Sequence, residues 1–403
     1  MLWKKRNMFL KIGFLTILLC IVSGCGNAPK TQEVKNETEI QTSMQNDAKK
    51  LIKICSDIYD KATKENQLHD LEVVVKQLGE KGYTAIDSKN QIDMTNTQQV
   101  FAFCKSVDDK KEATLKIVEV TDFGSFVLYH LQTKNGNVAV YKSGYAYENG
   151  NIQNTFEINY MAKNWQYTED GYILFSGNTH VEALYLLTLQ DMQEDIAFRV
   201  EPLDEKCRAY NRKYILPIGY AQNNMFLVDW NEHDFGALDF YDLYDILYYN
   251  IHGTYVPYVP DENLNVGAVY QIPKHAFESV IMQYFAIDSQ TLQYKTTYDT
   301  TSESYTYKPR GFYEVEYPAY PYPEVVAYQE HDDGTITLTI NVVFPHGGTS
   351  KVYVHDVVVR PLENGGVQYV SNHIIDTENH QNATWYTPRL TDAQWEETYK
   401  NQP

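Results

Sequence analysis

The stretch TITLTINVVF (residues 335–344) decides the fold class of this 403-residue chain. Its apolar residues alternate with threonine and asparagine, which is the period-two pattern of a strand with one buried face. Two more strands are predicted at residues 352–360 and 367–375, and Gly-containing turn signals precede the first and the last of the three. The stretch therefore predicts an antiparallel meander.

A helix upstream of these strands offers a matching apolar face. It begins near Pro273, which suits the first turn of a helix, and a Phe-Val-Ile stripe follows at helical spacing. Helix and meander together predict a C-terminal α+β domain over residues 269–385. A short terminal helix is predicted within residues 386–403, because Thr391 and Gln394 form a capping-box pattern.

The same combination of elements recurs near the start of the exported chain. Three amphipathic helical patterns are followed by a change to period two, with Asn-Gly turn signals between strands. We therefore predict an α+β domain over residues 48–196, with three helices packed on one face of an antiparallel meander. The predicted helices span residues 48–62, 71–78 and 95–107, and the predicted strands span residues 113–121, 125–133, 137–148, 152–158 and 172–176.

The region between the two α+β units, residues 197–268, is of uncertain membership. Helical patterns occur at residues 204–212 and 238–249, and residues 255–273 are rich in Pro, Asn and Gly, as a domain boundary is. Farther along, the segment YPAYPYP (residues 317–323) favours an extended polyproline run across the domain surface.

The first 24 residues are typical of a bacterial export signal. A basic start is followed by the apolar run IGFLTILLCIV (residues 12–22), about half of the ~20 apolar residues that a membrane-spanning helix needs. The run ends in Val-Ser-Gly-Cys, which resembles a lipobox, so we predict cleavage before Cys25 and a diacylglyceryl group on its thiol. Two acyl chains would hold the protein stably at the outer face of a membrane. An ordinary secretory signal with an incidental cysteine is the alternative.

The segment after the lipidation site is polar. Residues 26–46 are dominated by Lys, Glu, Gln, Thr and Asn and have almost nothing to bury, so residues 25–47 are predicted to be the lipidated cysteine and a flexible tether.

Composition restricts the classes of partner. The formal net charge is −19, and the signal removes only basic residues, so the exported chain is more acidic still. Such a charge argues against nucleic acid and anionic lipid headgroups, and favours neutral or cationic partners.

After Cys25 the chain has only Cys55, Cys104 and Cys207, so it is no disulfide scaffold. Cys55 and Cys104 fall on helical apolar stripes, where a buried thiol acts as a small hydrophobe.

Two groups of carboxylates resemble functional sites. Asp261, Asn263, Asn265 and Gly267 imitate a calcium loop, but the Gly is one place late and the carboxylate required at the twelfth position is absent, which favours a turn-rich linker. Asp239, Asp242 and Asp245 are spaced by three on a predicted helix. They suit either a solvated acidic face, which we favour, or a cation or acid/base site.

The eleven histidines show no metalloprotease motif and no partner serine in a hydrolase turn.

The chain is unusually rich in tyrosine, with 34 residues. Tyrosine suits half-buried strands, and this is the simplest explanation of its abundance. The alternative is exposed rings that stack on sugar faces or recognise peptides.

Four segments distributed over most of the exported chain carry a family resemblance. They are AIDSKNQIDMTN (residues 85–96), PDENLNVGAVYQIP (260–273), YKPRGFYEVEYP (307–318) and VVVRPLENGGVQYVSN (357–372). They resemble uncharacterised lipoproteins of anaerobic Gram-positive bacteria, the domain-of-unknown-function family 6070. The resemblance implies a surface location and this broad architecture, and it implies no activity.

The sequence thus predicts a membrane-anchored extracytoplasmic lipoprotein that binds or scaffolds a component of the cell envelope without catalysis. Its expected partners are the bilayer, through the lipid anchor, and an envelope glycan, peptide or protein. The alternative is a carboxylate-dependent envelope hydrolase, with the three helical aspartates as the first place to look. Apart from lipidation at Cys25, no catalytic residue, metal or cofactor is assigned.

Overall fold

A computed structural model describes residues 31–59, 67–121, 124–148, 151–180, 182–260, 262–264, 266–311, 313–314, 319–375 and 383–400. The predicted signal and Cys25 therefore lie outside the described residues. Helices and mostly antiparallel sheets make up the chain, which confirms the predicted α+β class. Within the described ranges, no helix is both long and apolar enough to cross a bilayer.

Runs of consecutive strands are separated by single helices or pairs of helices along the described chain. The helices are α1 (Thr31–Tyr59), α2 (Gln67–Glu80), α3 (Thr97–Asp108), α4 (Glu182–Thr188), α5 (Glu205–Tyr210), α6 (Phe240–His252), α7 (Lys274–Tyr284), α8 (Ser289–Lys295) and α9 (Asp392–Trp395). The first strands are β1 (Thr84–Asp87), β2 (Ala113–Val120), β3 (Ser125–Lys134), β4 (Asn137–Glu148), β5 (Asn151–Met161), β6 (Asn164–Tyr167), β7 (Tyr172–Thr179) and β8 (Met192–Arg199). The later strands are β9 (Trp230–Asn231), β10 (Tyr270–Pro273), β11 (Tyr298–Asp299), β12 (Ser304–Tyr307), β13 (Tyr322–Glu330), β14 (Ile336–Val343), β15 (Val354–Pro361) and β16 (Val367–Ile374).

The first sheet has the order β1-β2-β3-β4-β5, and β2 to β5 form the predicted meander. Asn135 and Gly136 both have positive φ, which gives the tight turn that the sequence indicated between β3 and β4. The prediction that all three helices lie on one face is wrong. Met44 of α1 contacts Ser143 on one face, whereas the apolar stripe of α3 packs with Ile117 and Tyr129 on the other.

The strand predicted at residues 172–176 belongs to a different sheet. It extends as β7 to Thr179 and pairs with β6 and β8 in a three-stranded antiparallel sheet. Ile173 and Phe175 join the core formed by α3 and the meander. The strand is almost wholly buried, so both of its faces are covered and sequence periodicity alone could not place it.

The C-terminal sheet has the order β13-β14-β15-β16-β9, and β14 to β16 match the three predicted strands within two residues. Tyr322 and Pro323, which end the predicted polyproline run, instead begin β13. This strand is at the edge of the sheet, where a proline does not break a hydrogen-bonded ladder. A smaller sheet, β10-β12-β11, was missed because its strands have only two to four residues.

The middle region joins the C-terminal core. β9 pairs with β16, the Tyr353 hydroxyl donates to the Phe226 carbonyl, and the Tyr369 hydroxyl donates to the Tyr214 carbonyl. Side chains from α5 through α6 pack in one hydrophobic cluster with α7 and the C-terminal sheet. The boundary predicted at residues 255–273 therefore lies between elements that share a core, so we expect residues 269–385 to need the middle region in order to fold.

Two local predictions at helix starts need correction. The predicted tether is helical from Thr31 on, where α1 begins. The reason is that residues 31–46 contain no Gly or Pro and are rich in good helix formers.

Thr95 does not cap α3, because Asn96 is the N-cap and makes no side-chain cap bond. The Thr95 hydroxyl instead donates to the Tyr83 carbonyl and accepts from the Ala85 amide, which fixes the loop to β1.

Other local predictions hold. Cys55, Cys104 and Cys207 are buried and free, and burial raises the pKa of the Cys55 thiol to about 12. These thiols therefore remain protonated and act as small apolar side chains. The terminal helix starts with the predicted capping box of Thr391 and Gln394.

Tyrosine contributes strongly to the core of this fold. Eight of the twelve largest fully buried side chains are tyrosines, so burial explains part of the unusual composition. Several of their hydroxyls are paired inside the protein: Tyr172 donates to Glu324, Tyr305 donates to Glu278, and Tyr220 is 2.8 Å from the His355 ring nitrogen. A buried tyrosine with a satisfied hydroxyl contributes a large apolar area without leaving a polar atom unpaired.

Candidate functional site

Helix α6 carries the three aspartates that the sequence singled out. Asp239 is the N-cap, and its carboxylate accepts hydrogen bonds from the amides of Tyr241 and Asp242. The solvated face that we favoured is wrong, because the Asp242 side chain is only 1% exposed and Asp239 and Asp245 are half-buried. The carboxylates do share one side of the helix, as their spacing predicted, but that side faces other protein segments.

Two arginines from distant segments pair with these carboxylates. Arg310 holds Asp242 in a bidentate pair, with Nε 2.9 Å from Oδ1 and Nη2 2.7 Å from Oδ2. Arg389 donates from Nε to Asp242 over 2.7 Å and from Nη2 to Asp245 over 3.2 Å. We call Asp239, Asp242, Asp245, Arg310 and Arg389 the ion cluster. It fastens the C-terminal segment and the loop after β12 onto α6.

Neutral donors complete the hydrogen bonding of the ion cluster. The Tyr307 hydroxyl donates to Asp245 over 2.6 Å, and the Tyr386 hydroxyl donates to Asp242 over 3.3 Å. The remaining guanidinium N–H groups reach backbone carbonyls: Arg310 donates to those of Glu314 and Thr387, and Arg389 donates to that of Lys308. A buried charge is tolerated only when it is paired in this way.

The protonation equilibria follow from burial and pairing. Burial raises the pKa of Asp245 to about 6, although Arg389 and the Tyr307 bond oppose the rise. Burial and the neighbouring Asp242 also raise the pKa of Asp239. For Arg389 burial alone would lower the pKa, but the three carboxylates outweigh it and the pKa is raised. Both guanidiniums are therefore permanently charged partners.

The ion cluster borders a cleft of about 510 Å³. Its floor is apolar and includes Leu227 and Phe240, and Asp239, Arg389 and Lys295 supply its charged groups. The Asp239 carboxylate is occupied by its two backbone amides, and Lys295 donates to the Gly236 carbonyl over 2.7 Å. The carboxylate that faces this cleft is therefore engaged in holding the fold, and it is not placed to take a proton from a ligand.

A second, larger cleft of about 790 Å³ lies along α2. Two of its carboxylates are also held by arginines, because Asp93 pairs with Arg208 and Glu205 pairs with Arg212. Asp239 in the first cleft and Asp93 and Glu205 in the second are thus held by other protein groups, so these three are not the free, convergent carboxylates that an acid/base hydrolase requires.

A group of tyrosines is exposed where α6 ends. Tyr255 is 83% exposed and Tyr249 is 45% exposed, and their ring centroids are 5.0 Å apart. The rings of Tyr258 and Tyr270, in the loop and strand that follow, pack at 5.4 Å. His252 lies 4.3 Å from the ring of Tyr248. We call Tyr248, Tyr249, His252, Tyr255, Tyr258 and Tyr270 the tyrosine ledge.

The tyrosine ledge is connected to the ion cluster through aromatic contacts. The Tyr258 ring lies 5.9 Å from the Tyr307 ring, and the Tyr307 hydroxyl is the donor to Asp245. Gly253 ends α6 in the left-handed conformation, and its amide donates to the Tyr249 carbonyl. Tyr258 therefore links the ledge to the ion cluster through Tyr307.

Sequence reasoning missed both the burial of the aspartates and the position of the tyrosine ledge. A signal for the first was present, because each of the three aspartates stands between two apolar or aromatic residues in the sequence around α6, LDFYDLYDI (residues 238–246), and such surroundings favour burial. The aspartates must then find cationic partners. The ledge has no comparable signal, since its members look like the core tyrosines elsewhere in the chain.

Metal binding gains no support from the described part of the chain, in which no three His, Cys, Asp or Glu side chains are grouped as ligands. The declined calcium loop includes Asp261 and Asn265, which lie outside the described residues.

Comparisons with known proteins give a family and no activity. No curated protein and no solved structure matches the chain. A model of a family of unknown function, DUF6070, matches residues 41–389, which include the ion cluster, both clefts and the tyrosine ledge. The protein therefore belongs to this family of unknown function, DUF6070.

Proposed function

We propose that this protein is a lipoprotein held by Cys25 at the outer face of the cell membrane, where it binds a component of the envelope without catalysis. The tyrosine ledge is the observation that carries the binding function. Tyrosine rings supply a large contact area with few rotatable bonds, so exposed pairs of them favour binding surfaces.

The ion cluster argues against the alternative, a carboxylate-dependent hydrolase. A general acid or base must exchange its proton with the substrate, and a nucleophilic carboxylate must have a free oxygen. Asp242 instead accepts four hydrogen bonds, three of them from guanidinium groups. Its role is to hold three chain segments together below the ledge.

Lipid labelling tests the anchor. Wild-type cells fed labelled palmitate should yield a labelled protein in the membrane fraction, whereas Cys25→Ala should give an unlabelled precursor or a shed protein. Cys20→Ala is the matched control, because it removes the other cysteine of the signal and should leave labelling unchanged. Wild-type protein that is water-soluble and unlabelled would refute the anchor.

Sedimentation with isolated envelopes tests the binding function. The mature chain without lipid, residues 25–403, should cosediment with envelopes from its own cells. The double variant Tyr249→Ser/Tyr255→Ser should bind less. Tyr294→Ser is the control, since Tyr294 is 85% exposed and lies outside the ledge. Equal loss in the control would show that the ledge is not the binding surface.

A further inference from the structure

Three exposed leucines of helix α4 form an apolar tip on a β-hairpin. α4 connects β7 to β8 and lies beyond the last residue pair of these two strands. Leu186, Leu187 and Leu189 are 66%, 81% and 74% exposed. Three large apolar side chains this exposed within four residues indicate an interaction surface, because single exposed apolar residues are normal but groups of them are not. We call residues 185–189 the leucine tip.

The leucine tip is apolar on more than one side. Successive residues of an α-helix point about 100° apart, so Leu186 and Leu187 point in different directions. Every residue from 185 to 190 is exposed, so the tip projects from the described surface. A flat protein surface would cover one side of such a projection, whereas acyl chains surround it. The shape of the tip therefore favours a fluid apolar medium over a flat protein partner.

The hairpin holds the leucine tip in this exposed form. The ring nitrogens of His180 lie 2.9 Å from the Asp191 carboxylate and 3.0 Å from that of Glu182, and the His180 ring contacts the Tyr185 ring at 4.9 Å. Leu189 ends α4 with a φ of +57°, and its amide donates to the Tyr185 carbonyl over 2.7 Å. Glycine is the usual residue at such a left-handed helix end, because leucine is strained there. A side chain that is mostly exposed packs little in return, so this strain points to a contact outside the chain.

Charge at the hairpin does not prevent the tip from entering lipid. The four acidic residues between positions 180 and 195 are each paired with histidine or lysine: Glu182 and Asp191 with His180, Glu194 with Lys142, and Asp195 with His346. The segment ALYLLTLQ (residues 183–190) contains no charged residue. The tip can therefore enter a bilayer without burying an unpaired charge. Since the whole chain has a net charge of −19, neutral lipid should be a better partner than anionic lipid.

The proposed lipid anchor would keep the leucine tip within reach of a bilayer, and only this step rests on the proposed function. Met44, whose sulfur contacts Ser143 of the first sheet, follows Cys25 by 19 residues (44 minus 25). Even a fully extended segment of that length spans at most about 65 Å. An anchored protein meets the bilayer at a high effective concentration, so weak insertion of a few leucines is enough to occupy the tip.

We infer that the leucine tip inserts into the outer leaflet of the bilayer. α4 has seven residues, far fewer than the ~20 that span a bilayer, so the insertion is interfacial. Leu186, Leu187 and Leu189 enter the boundary between headgroups and acyl chains, while the paired charges of the hairpin stay in water. Together with the lipid on Cys25, the tip gives the protein a second point of attachment, which restricts its rotation above the membrane.

Vesicle flotation tests the inference without the anchor. The mature chain with Cys25→Ser, which cannot be acylated, is mixed with vesicles of phosphatidylcholine alone or with added phosphatidylglycerol. We expect this protein to float with phosphatidylcholine vesicles. Leu186→Ser/Leu187→Ser/Leu189→Ser should weaken the binding by about tenfold or more, because three leucine side chains no longer transfer from water to lipid. Phosphatidylglycerol should weaken binding at low salt, and added salt should restore it.

A matched triple variant controls for the loss of exposed aliphatic groups. Leu264→Ser/Val266→Ser/Val269→Ser removes three other exposed aliphatic side chains, and it should float as the parent protein does. All six substituted side chains are exposed, so the thermal transition should be nearly unchanged in both triple variants.

Tryptophan at the tip reports insertion directly. Leu187→Trp keeps a large apolar side chain, and its added fluorescence should be quenched by vesicles of brominated phosphatidylcholine. Tyr294→Trp is the control, since Tyr294 is 85% exposed and lies outside the hairpin. Its added fluorescence should not be quenched.

Several outcomes would overturn the inference. They are no flotation at millimolar phosphatidylcholine, flotation that survives the triple serine variant of the tip, or equal quenching in Leu187→Trp and Tyr294→Trp. A dimer in solution that the triple serine variant disperses would also overturn it, because a second copy would then cover the tip. Palmitate labelling without flotation would leave the anchor standing and refute tip insertion. Flotation without palmitate labelling would do the reverse.

Discussion

Asp242→Asn should destabilise the protein strongly, because this carboxylate is the centre of the ion cluster. It is 1% exposed and accepts three guanidinium bonds of 2.7 to 2.9 Å. Hydrogen bonds to charged groups contribute about 1.5–3 kcal/mol each, which sets an upper bound of roughly 5–9 kcal/mol. Asp239 and Asp245 remain beside Arg389, and breaking a buried ion pair typically costs about 3–5 kcal/mol. We therefore expect a loss of about 3–5 kcal/mol in the free energy of unfolding.

Urea unfolding followed by tryptophan fluorescence measures this loss. Trp385 and Trp395 are both buried in the C-terminal segment that Arg389 fastens, so they report its release. Domains are stable by about 5–15 kcal/mol, so the midpoint should fall by about a fifth or more if the slope is unchanged.

Asp392→Asn is the matched control for the isosteric change. Asp392 pairs with Lys308 at 2.6 Å, but its side chain is 77% exposed. An exposed pair contributes less than about 1 kcal/mol, so this variant should unfold almost as the wild type does. If Asp242→Asn costs no more than Asp392→Asn, the ion cluster does not hold the segments together and our explanation of the three aspartates fails.

Three more predictions follow from the fold. Burial raises the pKa of Asp245 from 3.8 to about 6, so the folded state holds this proton more tightly and stability should fall as the pH rises from 4 to 6. Asp245→Asn should remove that part of the slope in urea titrations over this range, and an unchanged slope would contradict the assignment. Residues 269–385 alone should give no cooperative thermal transition, whereas residues 197–403 should, because β9 and α6 complete the C-terminal core. Gly79→Ala should lower stability by about 1–3 kcal/mol in urea unfolding, since its Cβ would lie 2.6 Å from the Thr95 side chain, and a neutral effect would show that the loop yields.

Local patterns in the sequence predicted local structure well. β2 to β5 and β14 to β16 were placed within a few residues, because alternation and turn residues act over short distances. The helices α6 and α7 were found from their apolar stripes for the same reason.

Pairing between distant segments could not be predicted in this way. β9 has two residues, and what makes it a strand is its pairing with β16, about 140 residues later. The pairing of β7 with β6 and β8 could not be predicted for the same reason. Packing in the core determines which strands pair with β7, and the alternation of residues within β7 does not. For this reason the sequence left open which core the middle region joins.

The three aspartates illustrate how a site can be mistaken when its partners are distant. Carboxylates at a spacing of three on a helix have the same pattern whether they face water, a cation or arginine. Arg310 and Arg389 decide the matter, and they lie 68 and 147 residues after Asp242. The local sequence did show apolar residues on both sides of each aspartate, and an acid in such surroundings is expected to be buried. Burial without a partner would neutralise it, so the pattern requires permanent cations elsewhere in the chain. Arg310 and Arg389 meet this requirement at every physiological pH, because a guanidinium is permanently charged and the neighbouring carboxylates raise its pKa further.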